Sequence, residues 1–412
     1  MKKKVLALLL VVALVASLAV VFAGCDPTDE DKVVTMDNIK IGMICLHDEN
    51  STYDKNFIDA MNEAAAALGL REDQVIIVTG IPESDECYQK ACELADEGCD
   101  IIFADSFGHE DYMIKAAKKY PNVLFAHATG TKAHTENLPN FVNAFASIYE
   151  GRYMAGVAAG LKLNEMIANG DITADQAKMG YVGAFTYAEV MSGYTSFYLG
   201  AKSVCPTVTM DVTFTGSWYD ETAENNAAKS LIAGGCVLIS QHADSMGAPN
   251  ACEEEGVPNV SYNGSTAAAC PNTFIVSSRI NWAPYYTYLI NSLVNGTEVA
   301  KDWTGTIATG SVVLTAIGSN APAAGTQAKL DEVKAGLQNG TINVFDTANW
   351  TVDGQTLTSY LADVDSDAAY AKDTEAIENG VFFESKHRSA PYFDVEIDGI
   401  NLLDRDYGDD AE

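Results

Sequence analysis

The amino-acid sequence predicts an α/β fold made of two similar, doubly wound lobes. Three observations support this prediction: the chain has 412 residues, short apolar runs alternate with amphipathic stretches, and this alternation occurs twice. A chain of this length suggests two domains of about 150 to 200 residues, each able to bury its own core. Short strands separated by helices of roughly ten to fifteen residues predict right-handed βαβ units and parallel sheets.

The first lobe begins near Ile39, and its elements alternate regularly. Its predicted strands lie in the apolar runs "IKIGMICL", "QVIIVTG", "DIIFADSF" and "NVLFAHATG". Its predicted helices lie between them, in "YDKNFIDAMNEAAAALGL", "DECYQKACELADEGC" and "DYMIKAAKKY". We assign residues 38–148 and about 283–325 to this lobe.

The same plan restarts at Lys178, which predicts a second lobe that faces the first. Its predicted strands lie in "KMGYVGAF", "TVTMDVTF", "CVLISQ" and "VPNVSYN". Its predicted helices lie in "MSGYTSFYLGAKSV", "ETAENNAAKSLIAGG" and "ACEEEG". We assign residues 149–282 to this lobe.

Two further segments connect the lobes. The stretch "SIYEGRYMAGVAAGLKL" predicts a helix whose small residues on one face suit close packing at the junction. From Trp303 onward the sequence is less regular, with strands expected near "WTGTIATGSVVLTAI" and a helix near "QAKLDEVKAGLQNG". We expect the C-terminal segment, residues 326–412, to cross between the lobes.

The N-terminal segment has the composition of an export signal. It contains three lysines, an apolar run from Val5 to Phe22, and then small residues before Cys25. We interpret residues 1–24 as a lipoprotein signal peptide and Cys25 as the lipid-carrying N-terminus of the mature protein. A membrane-spanning helix is the alternative that the length leaves open. Residues 25–37 are acidic and aperiodic, which predicts a flexible tether.

Charge and cysteine content exclude some classes of function. The 57 acidic and 25 basic side chains give a net charge of -32, which excludes nucleic acid as a partner. We interpret most of the remaining cysteines as free buried thiols, although export also permits disulfides. Since no two of them show CxxC spacing, we predict no metal centre and no cofactor. These eight cysteines are Cys45, Cys87, Cys92, Cys99, Cys205, Cys236, Cys252 and Cys270.

The candidate site lies where the predicted strands end. Open α/β sheets bind ligands outside the carboxyl ends of their strands. The segments at these positions include "HDENSTYDKNF", "ADSFGHED", "GAFTYAEV", "TGSWYDE", "SQHADSMG", "YNGST" and "SSRINWAPYY". They are rich in aromatic and polar side chains, which predicts a cleft for a flat, polar ligand.

Several short motifs in these segments resemble one family. The motifs are "ADSFG", "YPNVLFAHATG", "YEGRYMAGVAAG", "VGAF", "GSWYD", "QHADS" and "NWAPYY", between Ile39 and about Tyr286. Together they resemble the basic membrane lipoprotein family, the substrate-binding proteins of ABC transporters that are related to purine nucleoside-binding lipoproteins. The resemblance implies a type I periplasmic-binding-protein fold, with two Rossmann-like lobes, a hinge and an interlobe cleft.

Ten residues are the predicted ligand contacts. The resemblance to the family implies the first group of these ligand contacts, and the strand-end segments supply the second group. The first group is Phe107, Trp218, His242, Asp244, Asn263 and Trp282, and the second is Tyr53, Phe57, Ser106 and Phe185.

Some of these residues also have purely structural interpretations. Phe57 and Phe107 could be core residues, and His242 could be a hydrogen-bonded residue at a strand end. Asp244 could cap the "ACEEEG" helix, as Asp220 could cap the helix that follows it. For Trp218 and Trp282 we expect exposed loops, because their neighbours are polar.

The predicted function is that of a lipid-anchored, extracytoplasmic binding protein. We expect a monomer without enzymatic activity that delivers a purine nucleoside or related ligand to an ABC permease. A sensory lipoprotein with the same cleft is one alternative. An exported nucleoside or glycoside hydrolase that uses His242 and Asp244 is another, although the sequence contains no G-x-S-x-G or HExxH motif.

Overall fold

Two β-sheets organise the chain in the computed structural model, which describes residues 32–364 and 371–404. The chain divides into two units, residues 1–35 and 36–412, and every element below belongs to the second unit. The predicted signal peptide, Cys25 and the first part of the tether lie outside the described residues. Within the part that is described, no helix is both long enough and apolar enough to cross a membrane.

The first sheet is made of six parallel strands. They are β1 Ile41–Ile44, β2 Val75–Val78, β3 Ile101–Ala104, β4 Leu124–Ala128, β5 Phe141–Ala146 and β11 Asp302–Gly305. Their order in space is β11-β5-β4-β3-β1-β2. The connecting helices are α1 Thr52–Leu68, α2 Asp85–Asp96, α3 Glu110–Lys119 and α4 Ala133–Glu136. Strands β1 and β3 are fully buried, as expected in a parallel sheet that helices cover.

The second sheet has seven strands, and one of them is antiparallel to its neighbour. They are β6 Lys178–Gly183, β7 Thr209–Phe214, β8 Leu238–His242, β9 Asn259–Tyr262, β10 Phe274–Ile280, β12 Val312–Leu314 and β17 Ile400–Leu402. Their order in space is β12-β10-β9-β8-β6-β7-β17. The helices α6 Ala188–Val204, α7 Glu221–Ala233 and α8 Gly247–Glu255 connect the first four strands. The predicted pair of doubly wound lobes is therefore confirmed.

The junction helix is α5 Ile148–Asn169, and it packs closely against α6. An added Cβ at Gly156 would lie 1.9 Å from the Phe197 carbonyl oxygen, and one at Gly200 would lie 2.0 Å from the Tyr153 carbonyl oxygen. The predicted close packing of small residues in this helix is confirmed.

The C-terminal segment contacts both sheets. It contains α10 Thr326–Gln338 and the short strands β13 Leu361–Ala362, β14 Thr374–Glu375, β15 Ile377–Glu378 and β16 Val381–Phe382. The helix α9 Ala283–Asn295 precedes this segment and lies in the range assigned to the first lobe. The Ser389 N–H and hydroxyl donate to Asp302 on β11 at 2.8 and 2.6 Å, whereas β17 pairs with β7. Strand β12 falls in the range assigned to the first lobe, but it pairs with β10 and belongs to the second sheet.

The predicted element pattern omits several elements, among them β5, β10 and α9. Buried polar side chains interrupt the two strands, for example Asn143 in β5 and Ser277 in β10. An apolar run is therefore a poor guide where a buried polar group finds its hydrogen-bond partner elsewhere in the fold.

All eight cysteines from Cys45 to Cys270 are buried, as predicted. Among the described residues no two cysteines form a disulfide. Burial raises the pKa of Cys236 to about 12, so that this thiol stays protonated and packs as a small apolar group.

Replacing Gly156 by alanine should destabilise the fold, because the new Cβ would clash with backbone. We expect a net loss of about 2 kcal/mol in the free energy of unfolding, since overpacking outweighs the gain in helix propensity. Urea denaturation measures this loss. Gly264→Ala is the control, because the atoms closest to its added Cβ are 3.5 Å away on Thr52. Equal denaturation midpoints for the two variants would contradict the packing argument.

Candidate ligand-binding cleft

A pocket lies where the carboxyl ends of strands from both sheets come together. The strand order reverses between β1 and β3 in the first sheet, and between β6 and β8 in the second. Ligand sites of open α/β sheets lie at such switch points. Nine residues that follow strands of both sheets line the pocket, namely Leu46, Tyr53, Ser106, Phe107, Thr129, Glu189, Trp218, His242 and Asp244.

Six of the ten predicted ligand contacts line this pocket, and four do not. The six are Tyr53, Ser106, Phe107, Trp218, His242 and Asp244. Phe57, Phe185, Asn263 and Trp282 lie elsewhere. The sequence prediction missed Leu46, Thr129 and Glu189. Glu189 lies in the strand-end segment "GAFTYAEV", and Leu46 and Thr129 lie at the ends of the predicted strands "IKIGMICL" and "NVLFAHATG".

Direct contacts join the two lobes across the pocket. The Thr52 N–H, at the start of α1, donates to the Asp244 carbonyl oxygen at 3.0 Å, and the Thr52 hydroxyl donates to it at 3.2 Å. The centroid of the His47 ring lies 5.3 Å from that of Tyr219. These contacts define a closed arrangement, in which the exclusion of water strengthens hydrogen bonds to an enclosed ligand.

Aromatic side chains form one wall of the pocket. Phe185 packs edge-on against Trp218 with 5.1 Å between ring centroids, and it stacks on Tyr187 at 5.0 Å. Phe107 of the first lobe lies 5.3 Å from Tyr187. Phe185 therefore supports Trp218 from outside the pocket. The faces of Trp218 and Phe107 suit a planar ligand.

Asp244 brings a carboxyl group to the pocket, and in the described residues no hydrogen bond reaches this group. Its backbone N–H donates to the Trp218 carbonyl oxygen at 2.9 Å, which fixes the loop directly after β8. Burial raises the pKa of Asp244 well above its usual range, and the negative charges of Asp54, Glu224 and Glu189 raise it further. A ligand N–H or O–H group would satisfy the free carboxyl oxygens.

His242 ends β8, and its Nε2 lies 3.4 Å from Oε1 of Glu189 on the first turn of α6. Its ring centroid lies 4.4 Å from that of Tyr262. Burial lowers the pKa of His242, and the nearby Arg152 lowers it further, whereas Glu189 raises it. A neutral imidazole that donates from Nε2 to Glu189 fits this environment.

Two first-lobe residues of the pocket are held by their own hydrogen bonds. The Ser106 hydroxyl donates to Oε1 of Glu83 at 2.6 Å, and the Tyr53 hydroxyl donates to the Asp105 carbonyl oxygen at 2.7 Å. Both side chains are therefore positioned before a ligand binds.

The exposed loop predicted for Trp282 is wrong, because this side chain is only 1% exposed. Its ring stacks on Phe57 with 4.5 Å between centroids, and Phe103 lies 6.1 Å away. Phe57 is fully buried in the same cluster, as its structural interpretation predicts. The physical reason is that Trp282 precedes α9 and turns inward, so the polar neighbour Asn281 gives no information on its burial.

Asn263 is buried next to the pocket without lining it. Its backbone is in the left-handed region with φ 62°, and its N–H donates to the Ser278 carbonyl oxygen at 2.9 Å. Asparagine tolerates this conformation better than most residues. Its side-chain Nδ2 is buried, and in the described residues no hydrogen-bond acceptor reaches it.

The two helix-cap interpretations have opposite outcomes. Asp220 caps α7, since its Oδ1 accepts from the Ala223 N–H at 2.9 Å. Asp244 caps no helix, because α8 begins only at Gly247. Glu224 instead holds the Asp244 loop, as its Oε1 accepts from the Ser245 N–H at 3.2 Å.

Three buried side chains beside the pocket place potential metal ligands within 4.8 Å of one another, namely Cys45, Asp54 and Asp105. The Asp54 carboxylate already accepts hydrogen bonds from the Ser51 hydroxyl at 2.6 Å and the His47 N–H at 2.8 Å. The Asp105 carboxylate likewise accepts from the Leu46 N–H at 3.1 Å, so both carboxylates already have hydrogen-bond partners within the protein. The cluster therefore fits internal hydrogen bonding better than metal ligation.

Two doubly wound lobes that enclose an aromatic and polar pocket define a solute-binding protein of the type I periplasmic-binding class. The chain belongs to the family described as ABC transporter substrate-binding protein PnrA-like, whose model matches residues 41–344. The family expected from the motifs is thereby confirmed. ABC substrate-binding proteins act on the extracytoplasmic side of the membrane.

Individual relatives agree with this assignment. A purine-binding protein of Brucella abortus (strain 2308) is 32% identical over 65% of this chain and 73% of its own length. A candidate ABC transporter glucose-binding protein of Haloferax volcanii is 33% identical over 54% of this chain and 53% of its own length. The solved structure of an ABC transporter solute-binding protein from Aeropyrum pernix K1 is similar with a TM-score of 0.62, at 16% identity over 74% of this chain and 93% of that chain. Because the sequence identity to the Aeropyrum protein is only 16%, this structural similarity shows that the two proteins share a fold and nothing more.

The two tryptophans should respond differently to truncation. Trp218→Ala should weaken ligand binding by about tenfold with little change in melting temperature, because its ring lines the pocket. Trp282→Ala should lower the free energy of unfolding by about 3–5 kcal/mol, because its ring fills the core. Calorimetric titration and thermal melting of both variants measure these effects. A stable Trp282→Ala variant with impaired binding would contradict the placement of Trp282.

Proposed function

We propose that this chain is a lipid-anchored solute-binding protein that delivers a purine nucleoside, or a related compound, to an ABC importer. The observation that carries the proposal is the partner-free carboxyl of Asp244, placed beside the rings of Trp218 and Phe107 in the interlobe pocket. A planar base between aromatic faces, with N–H or O–H groups directed at a carboxyl, matches this combination.

Each side chain has a defined role in binding. Trp218 and Phe107 stack on the base and contribute about 1 kcal/mol each beyond the burial of their area. Asp244 accepts hydrogen bonds from the ligand, and Glu189 is held by His242 for the same purpose. Closure of the lobes through the Thr52–Asp244 contact then removes water and strengthens these bonds.

The relatives support a purine more than a sugar. The Brucella protein that is named for purine binding shares 273 aligned residues with this chain, and the Haloferax protein that is named for glucose shares 221. The aromatic wall favours the same choice, since flat rings match the faces of a base.

The geometry gives little support to a hydrolase. His242 lies against Glu189, and in the described residues no hydrogen bond joins it to Asp244. Among the described residues that line the pocket Ser106 is the one serine, and its hydroxyl donates to the Glu83 carboxylate and not to a histidine. A general base must lie within hydrogen-bond reach of the group it activates. The protein that we propose binds and releases its ligand unchanged, as a monomer that docks on a membrane permease.

We expect Asp244→Ala to weaken the binding of inosine, guanosine or adenosine by roughly tenfold to a hundredfold, because the ligand loses a buried charged acceptor. The melting temperature of the empty protein should not fall, since no protein group pairs with this carboxyl. Calorimetric titration and melting measure both quantities. Asp220→Ala is the control, which should lose about 1 kcal/mol of stability as a helix cap and keep its affinity. An unchanged dissociation constant in Asp244→Ala would remove this loop from the site.

The anchor in this proposal is Cys25. The preceding lysines, apolar run and small residues have the composition of a lipoprotein signal, and several acyl chains on one cysteine anchor a protein stably. Mass spectrometry of the protein from the membrane fraction should find an acylated N-terminal Cys25. In Cys25→Ser this acylated species should be missing. A native chain that keeps Met1 would disprove the anchor.

A further inference from the structure

The ligand cleft is lined by acidic side chains that no lysine or arginine of the lining balances. Glu189 and Asp244 are among the nine lining residues, and none of the nine is a lysine or an arginine. Two further carboxyl groups, Asp54 and Glu224, are buried close enough to act on Asp244. Burial and these neighbouring acidic groups raise the pKa of Asp244, so its ionised form lacks a stabilising partner in the empty pocket. A cationic ligand would stabilise that ionised form, whereas an anionic ligand would meet acidic side chains and no lysine or arginine in the lining.

Neighbouring basic groups do not line the pocket. Arg152 is fully buried, and its guanidinium donates to the hydroxyls of Tyr181 and Ser240 at 2.9 Å each, neither of which lines the pocket. A ligand in the pocket cannot reach it. Burial lowers the pKa of His242, which favours its neutral imidazole.

The charge of the ligand then decides the energy of closure. A phosphate group would be enclosed beside Glu189 and Asp244, where repulsion between like charges is stronger than in water. A cation would neutralise those carboxylates instead. The aromatic faces of Trp218 and Phe107 add a second attraction, because the faces of aromatic rings bind cations.

We propose that the cleft selects its ligand by charge, and that it binds a cationic aromatic heterocycle, such as an N-alkylated purine nucleoside, more tightly than the neutral isomer. It rejects the corresponding 5′-phosphate. This inference rests on the proposed function, because it concerns the same cleft and the same class of ligand. The geometry that carries it is a pocket with two carboxyls, two flat aromatic faces and no cationic side chain.

Two isomeric nucleosides test the proposal with the intact protein. At pH 7, 1-methyladenosine is a cation and N6-methyladenosine is neutral, although the two have the same atoms apart from one proton. Calorimetric titration should find that 1-methyladenosine binds about tenfold tighter or more. Adenosine 5′-monophosphate should give no measurable binding. Equal affinities for the isomers, or tighter binding of the neutral one, would overturn the proposal.

A charge-removing variant separates the effect of charge from that of shape. Asp244→Asn keeps the size of the side chain and removes its negative charge, so the preference for the cation should fall by about tenfold. Asp220→Asn is the matched control, because asparagine also caps helices and Asp220 does not line the pocket. A preference that persists unchanged in Asp244→Asn would contradict the assigned role of this carboxyl.

A second pair of probes distinguishes failure of this inference from failure of the proposed function. Nicotinamide is neutral, and its N1-methyl derivative is a cation of nearly the same shape. If adenosine and the neutral isomer bind but neither cation is preferred, charge selection is wrong and nucleoside binding stands. If only the N1-methyl derivative of nicotinamide binds, charge selection stands and the purine is wrong. Failure of both pairs would overturn both proposals.

Discussion

Arg152 is the buried charge on which the arrangement of the second lobe depends. From the junction helix its guanidinium donates to Tyr181, Ser240, Ser261 and Ser278, at 2.9 to 3.4 Å. These four residues lie on neighbouring strands of one sheet, β6, β8, β9 and β10. A buried charge without such partners would be strongly destabilising. The helix must therefore dock on these strands in one register, and the cleft loop that follows β8 takes its position from that docking.

Close approach between the backbones of the junction helix and α6 also fixes the position of the junction helix in the second lobe. The junction helix meets α6 through Gly156 and Gly200, where no Cβ fits. At Gly193 an added Cβ would lie 2.6 Å from Nδ1 of His242, so this position also requires a small residue. The first turn of α6 carries Glu189, and the contact between Glu189 and His242 follows from this packing. The same small residues therefore allow the close helix packing and the position of Glu189 beside His242.

An unsatisfied carboxyl explains how closure and ligand binding are linked. In the closed arrangement Asp244 is 5% exposed and has lost most of its hydration, which its raised pKa reflects. A ligand that brings a donor or a positive charge restores the lost interactions, whereas an empty closed cleft leaves them unmade. Binding energy therefore favours closure only when a matching ligand is present.

The sequence by itself determined the two doubly wound lobes, the strand ends where the cleft lies and most of its lining, because hydrophobic periodicity and strand-end position are local properties. It could not show that Trp218 lines the pocket whereas Trp282 is buried in the core, because both tryptophans have polar neighbours near the end of a strand. Only the packing of the folded chain turns Trp282 toward Phe57. It also could not pair Glu189 with His242, which lie on different elements. Tertiary structure decided these points, because the direction of a side chain at the end of an element is set by residues that are distant in the sequence.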